Sequence, residues 1–161
     1  MKEELARELD LRRLRAIADY QFGPGAGKAL FPNDVEIVRS RKTGRIRQVK
    51  HRGELLATVR ASDGLLVLTI HGAKRLLPFL GRRHVVVVSG EAAPFVAQGR
   101  SAFAKHILEA DPEIRPGDEV LVVDPDGRLL AVGKALLAGP EMMAFKRGVA
   151  VKVRAGVGGG A

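Results

Sequence analysis

Between residues 35 and 70 the chain repeats one pattern four times. The apolar-rich runs VEIVRS, RIRQVK, ELLATVR and LLVLTI are separated by turn signals that contain KTG, HRG and SDG. A break that short cannot hold the crossover that a parallel pair needs, so the spacing suits antiparallel pairing of consecutive runs. The spacing predicts a four-strand meander. Residues 2–18 before it read as a helix, with Leu11, Leu14, Ile17 and Ala18 on one apolar face. Gly and Pro in YQFGPGAGKALFPND stop that helix. After the meander, HGAKRLLPFL reads as a short helix limited by Pro78. Helix, meander and helix give an α+β domain, an antiparallel sheet with its helices on one face.

Gly81-Arg82-Arg83 marks the expected boundary, because the texture then changes to short β runs: HVVVV, EVLVVD, RLLAV and VAVKVR. A helix is expected over 101–110, with Phe103, Ile107 and Leu108 on one side and Phe103 and Ile107 in the core. The Pro-Gly of IRPGDEV and the turn DPDGR complete a pattern that fits a small, mostly-β barrel. The expected organisation is an α+β domain over 1–81, a pseudobarrel over 82–155 and a disordered tail over 156–161.

Charge is the next constraint. The net charge is +9, and its distribution is uneven: residues 1–81 carry 16 Lys and Arg against 9 acids, residues 82–161 carry 11 against 9. From Arg39 to Arg52 there are seven basic residues and no acid. In an alternating strand Arg45 and Arg47 project to one face, and Arg39 and Arg41 do likewise if the first strand reaches that far. Such a line can follow a phosphate backbone, each contact releasing a counterion. A solvated edge kept positive against edge-to-edge association has the same sequence. Aromatic residues are only 4% of the chain, too few for the stacking platforms of single-strand binders, which favours recognition of a structured RNA by shape and backbone.

Other chemistries are poorly supported. The chain has no cysteine, which removes disulfides and thiolate zinc sites. The four histidines, His51, His71, His84 and His106, have no metal-ligand spacing, so neither a metal nor a cofactor is expected. GPGAGKAL resembles a phosphate loop only superficially. Phe22 stands where the first glycine belongs and Ala29 where a magnesium-binding hydroxyl belongs, so a close-packing connection is the better reading. Asp19, Asp34 and Asp63 sit at loop edges without a partner acid or base, and no catalytic residue is assigned. No apolar run reaches the length of about 18 residues that a membrane span needs, and the charged start MKEELAREL is no secretory signal. The expectation is a soluble, cytoplasmic protein with no membrane partner.

Residues 82–155 resemble a PUA domain, the small RNA-binding pseudobarrel of pseudouridine synthases and archaeosine transglycosylases. The resemblance rests on the order RPGDEV, AVGKA, GPEMMAF and KRGVAVKV, with Gly117 and Gly148 in turns and Gly133 permitting close backbone approach. The first half, through ADYQFGPGAGKALF, TGRIRQV and LLATVRASDGLLVLTIHGAKRLL, resembles the domain that precedes PUA in archaeosine tRNA-guanine transglycosylase and related archaeal proteins. The resemblance implies a tRNA-gripping tail without the base-exchange barrel. In VAQGRSAFAKHI it implies a contact with the acceptor end of structured RNA. Gly99 would let backbone approach a phosphate, Arg100 and Lys105 would supply charge, and Ser101 would cap the helix whose N-terminus favours an anion. Lys152 and Arg154, alternating outward on the last strand, would extend that surface.

The expected function is therefore non-catalytic binding of structured RNA, with tRNA foremost. The expected protein partner is a tRNA-modifying enzyme lacking its own PUA domain. A ribosome-assembly factor on an rRNA helix, a protein-interaction module, and an RNA-modifying enzyme using Asp19 or Asp63 are the alternatives.

Overall fold

A computed structural model describes residues 1–159 and divides the chain into two compact units, Met1–Phe79 and Leu80–Ala161. In the first unit, α1 (Lys2–Phe22) and α2 (Ala26–Leu30) precede β1 (Glu36–Arg39), β2 (Ile46–His51), β3 (Glu54–Val59) and β4 (Leu66–Leu68), and α3 (Ile70–Leu80) follows. The four strands pair antiparallel in the order β1-β2-β3-β4, the expected meander. Leu14, Ala18 and Phe22 of α1 are buried with Val49, Ala57 and Leu66 of the sheet, so one face of α1 and one face of the meander share a core. Each such large apolar side chain contributes roughly 1.5–3 kcal/mol by leaving water.

Polar contacts tie α1 to the sheet at both ends. Asp10 pairs with Arg39 of β1 at 2.5 Å. Eleven residues further along α1, the Gln21 amide accepts from Leu66 N at 2.9 Å and donates to Leu66 O at 2.8 Å. The amide thereby occupies the open edge of β4 as a neighbouring strand would, which removes an unpaired edge. The helix runs four residues beyond the expected end at 18, because Phe22 has a core site to fill. The segment read as a plain loop also holds α2. Gly27 of α2 is buried against α1, where an added Cβ would lie 2.4 Å from Arg15 O, and its N–H donates to Asp19 Oδ1 at 2.7 Å. GPGAGKAL is thus a close-packing connection. Pro78 does not stop α3, which continues to Leu80.

The second unit contains β5 (Val85–Val88), α4 (Ala93–Ala97), β6 (Ala102–Phe103), β7 (Ile107–Ala110), β8 (Glu119–Val123), β9 (Leu129–Ala135), α5 (Gly139–Ala144) and β10 (Val149–Gly156). The sheet order is β6-β10-β9-β8-β5-β7, antiparallel except for the parallel β5/β8 pair. Its two outermost strands, β6 and β7, are separated in the chain by only the 3-10 turn Ala104–His106. A sheet whose opposite edges are joined by three residues has to curl round on itself, giving a nearly closed pseudobarrel. Val86, Val88, Val120, Val122, Ala131 and Val151 fill the interior.

Two expectations fail in this unit. No helix spans 101–110: the segment is β6, the 3-10 turn and β7. Burial alternates from Ala102 to Lys105, with Ala102 and Ala104 inside and Phe103 and Lys105 outside, which is a strand period. Ile107 is in the core as expected, whereas Phe103 is 46% exposed. The tail is also ordered further than expected. Gly156 is buried at the end of β10, and Gly158 N donates to Ala97 O at 2.7 Å. The disorder expected for residues 160 and 161 lies outside the described residues.

At Gly133 an added Cβ would stand 2.3 Å from Lys152 O, so β9 and β10 approach as closely as they do only because this position lacks one. Gly133→Ala is expected to destabilise the second unit by about 2–3 kcal/mol through overpacking. Circular dichroism melts of wild type and variant measure this; an unchanged midpoint would contradict the close-approach account.

Candidate nucleic-acid interface

In the first unit the basic residues gather where α1 crosses one end of the sheet. The β1–β2 turn over 40–45 and the β3–β4 turn over 60–64 stand at that end. With Arg13, Leu14 and Ile17 of α1 they line a groove of about 950 Å³. Arg45 and Arg47, both exposed, border it. Arg47 is the extra residue of β2 at a register shift, where Val38 and Arg39 pair with Gln48 and Ile46, so its place beside α1 rests on its lining the groove with Arg13 rather than on strand alternation. Among the described residues neither Arg45 nor Arg47 has an acidic partner.

Other arginines of this end hold the structure. Arg39 donates to Gly44 O at 2.6 Å and pairs with Asp10, which pins the turn to α1. Arg41 does not share a strand face with Arg39: β1 ends at Arg39, and Arg41 sits exposed in the turn. Arg60 pairs with Asp63 at 2.9–3.0 Å, and the same carboxylate accepts from Leu65 N at 3.0 Å. The hydrogen bond from Arg60 and that from Leu65 N hold the Asp63 carboxyl below its ordinary pKa. A depressed folded value means this carboxylate supports the turn above the ordinary carboxylate range and loses that role as pH falls through the folded value. Asp63 and Asp19 are both engaged in local structure. Asp34 lies 2.9 Å from His51 Nε2, and among the described residues no cluster of three or more His, Asp or Glu is arranged to hold a metal.

In the second unit the structure brings the two predicted segments together. Ala102 and Phe103 of β6 pair with Val151 and Val149 of β10, and Ala104 N donates to Gly148 O at 2.9 Å. The turn at Gly99, with φ +100°, rests on the far end of β10, where a Cβ on Gly156 would meet Gly99 N at 2.8 Å. Arg100 therefore stands at one end of this strip with its guanidinium 6.0 Å from the centre of the Phe95 ring. Lys105 stands at the other, beside Lys146 and Arg147, around a cavity of about 210 Å³ that Phe103 also lines. Lys146 and Arg147 escaped the sequence reading. The signal was the KRG that precedes β10, which becomes informative only once β6 and β10 are known to pair.

Two assignments change. Ser101 caps no helix, since the chain enters β6 there, and the helix-dipole argument for an anion does not hold. Arg154 is not an outward neighbour of Lys152. It lies at a register shift of β10 between Val153 and Ala155, and its guanidinium meets Glu119 of β8 in a two-pronged pair at 2.6 and 2.8 Å. The Glu119 side chain is only 5% exposed, so Arg154 neutralises a buried carboxylate. Lys134 is opposite Glu119 in register and Lys152 is opposite Lys134.

This combination of modules defines a class. Residues 84–157 match the PUA domain family, and residues 12–82 match the patch-forming domain C2 of tRNA-guanine transglycosylase. The chain carries a C2 domain followed by a PUA domain, and it corresponds to the C-terminal tail of the tRNA-guanine transglycosylases. It is 54% identical over 159 residues to the tRNA-guanine(15) transglycosylase of Pyrococcus abyssi, covering 98% of this chain and 27% of that enzyme. The enzyme of Methanothermobacter thermautotrophicus is 53% identical over 150 residues, covering 91% of this chain and 23% of that one. The chain thus spans about a quarter of the curated relatives it matches. Among solved structures, a hypothetical protein of Pyrococcus horikoshii OT3 matches with a TM-score of 0.72 and 26% identity, over 91% of this chain and 89% of that one. A PUA-domain protein of Thermoplasma acidophilum shares the fold, with a TM-score of 0.61 and 23% identity over 94% of this chain and 91% of that one.

Removing one partner of the Arg154–Glu119 pair isolates its role. Glu119→Ala should destabilise the second unit by about 1–3 kcal/mol, less than the roughly 3–5 for a wholly buried pair, because Arg154 can turn toward water. Arg154→Ala should cost more, because it leaves the buried Glu119 carboxylate without its guanidinium, and adding Glu119→Ala to it should recover part of that loss. Urea titrations of the four proteins in this double-mutant cycle test it; strict additivity would rule out the coupling.

Proposed function

We propose that this chain is a non-catalytic RNA-gripping protein that holds structured tRNA near its acceptor stem, in the cytoplasm, as an accessory to a tRNA-modifying enzyme lacking a PUA domain of its own. One observation carries the reading. The segment that it shares at 54% identity with tRNA-guanine(15) transglycosylases contains two separate basic surfaces, one in each unit. The domain over 1–81 would follow the phosphate backbone through Arg41, Arg45 and Arg47. The domain over 82–155 would contact RNA through the Gly99 turn, Arg100, Lys105 and Lys152, joined by Lys146 and Arg147. Arg39 and Arg154 would act by holding these surfaces in shape, since each is committed to a carboxylate.

Titration against total tRNA and against an unstructured RNA of equal length, at two salt concentrations, tests this. Tighter binding of tRNA is expected. If five basic side chains reach phosphates, log affinity should fall against log salt with a slope of roughly −3.5 to −4.5. Replacing Arg45 and Arg47 together by Ala should flatten that slope by about 1.4–1.8 while leaving the melt unchanged. Equal affinity for the two RNAs would reject tRNA as the ligand, and an unchanged slope would return Arg45 and Arg47 to the role of a solvated edge.

A further inference from the structure

We propose that α1 is a ridge with a positive groove on each flank, built to seat in the wide minor groove of an A-form RNA duplex with one phosphate strand on either side. The inference rests on the RNA-binding reading above and specifies the form of RNA that the first unit takes.

Advancing 100° per residue around α1 gives the geometry. Leu11, Leu14, Ala18 and Phe22 face the core. The opposite face carries Leu9, Ala16 and Tyr20, all exposed, with Tyr20 at 84%. Arg13 lies on one flank and borders the groove with Arg45 and Arg47. Arg12 and Arg15 lie on the other flank and, with Arg7 and Lys28, line a second groove of about 650 Å³ that the basic stripe in the sequence does not reveal.

The chemistry of the second groove favours an anion. Arg7 donates to Asn33 O and Val35 O, both at 2.6 Å, and Arg15 donates to Phe31 O at 2.6 Å and Asn33 Oδ1 at 2.9 Å. These acceptors are uncharged, so the two guanidiniums are oriented without being neutralised. The groove also holds Glu8 and Asp19, but Asp19 is engaged with Gly27 N. In the first groove the acid, Asp63, is engaged with Arg60 and Leu65 N. Positive charge therefore predominates on both flanks.

Two lines of cations separated by a helix about 10–12 Å across match two phosphate lines, not one. A single strand would occupy one groove and leave the other empty. The minor groove of B-DNA, about 6 Å wide, is too narrow for a helix, and its major groove, about 8.5 Å deep, takes a helix that stands clear of its own domain, whereas one face of α1 is buried in the core. That of A-form RNA is wide and shallow and displays 2′-hydroxyls, against which the small Ala16 and the Tyr20 hydroxyl on the crest fit.

Fluorescence anisotropy with the whole chain tests this, using a 20-base-pair RNA duplex, the DNA duplex of the same sequence, one RNA strand alone and tRNA. Arg12→Ala with Lys28→Ala removes charge from one flank, and Arg13→Ala with Arg47→Ala from the other; circular dichroism checks that both variants stay folded. Wild type should prefer the RNA duplex to the other two short probes. Each pair should weaken duplex binding on the order of tenfold and reduce the salt slope by about 1.4–1.8, the loss of two phosphate contacts. A silent flank, or equal binding of duplex RNA, duplex DNA and single strand, overturns the ridge. If the ridge fails in either way while wild type still binds tRNA, only the ridge is wrong. If wild type does not bind tRNA, the RNA reading falls and the ridge with it.

Discussion

The pseudobarrel depends on three residues, Ala104–His106, that carry the chain from one edge of its sheet to the other. Because β6 and β7 are held that close, the strands between them must close round the valine-rich core, and β10 must lie beside β6. That constraint makes the basic strip. Lys105 in the turn and Lys146 and Arg147 before β10 are about 40 residues apart in sequence, yet they line one cavity. Gly133 serves the same closure from inside, since β10 could not approach β9 over a side chain at that position.

Basic residues in this molecule divide by what holds them. Arg39, Arg60 and Arg154 pair with Asp10, Asp63 and Glu119 and serve the fold. Arg7 and Arg15 are held by carbonyl and amide oxygens and retain their charge. Arg45, Arg47 and Lys105 extend into solvent beside the grooves. An exposed pair contributes little to stability, whereas a guanidinium on a buried carboxylate is costly to lose. Net charge therefore overstates the surface available to a polyanion, and the division by partner is the better guide.

The meander was legible because its turns are too short for any other connection, and the barrel strands because β-branched runs alternate with Pro-Gly and Asp-Gly turns. The segment 101–110 was not. Phe103, Ile107 and Leu108 have helical spacing, but what decides the structure is that β6 pairs alongside β10 and turns the small Ala102 and Ala104 into the barrel core, a tertiary contact. Of the candidate site, Arg45, Arg47, Arg100, Lys105 and Lys152 lie exposed, and the Gly99 turn meets the last strand. Arg154 was misread because a register shift is invisible in an alternating run and reverses the side to which a residue points. Lys146, Arg147 and the second groove beside α1 were missed for a different reason. Each is assembled from residues of different elements, and charge read along the chain records only neighbours in sequence.

Two modest basic surfaces on one chain have an energetic advantage that neither has alone. A few phosphate contacts confer binding that salt weakens steeply. Once one unit holds an RNA, however, the other is confined near the same molecule, and its encounter becomes intramolecular. The gain depends on whether the chain between the units lets both sites reach one ligand. If the units bind as proposed, an RNA that offers a duplex and a nearby end would satisfy both, whereas a short duplex or a single strand would satisfy one. Discrimination in favour of a folded RNA then needs no base-specific contact. It follows from the number of surfaces engaged at once, which is a property of the ligand's shape.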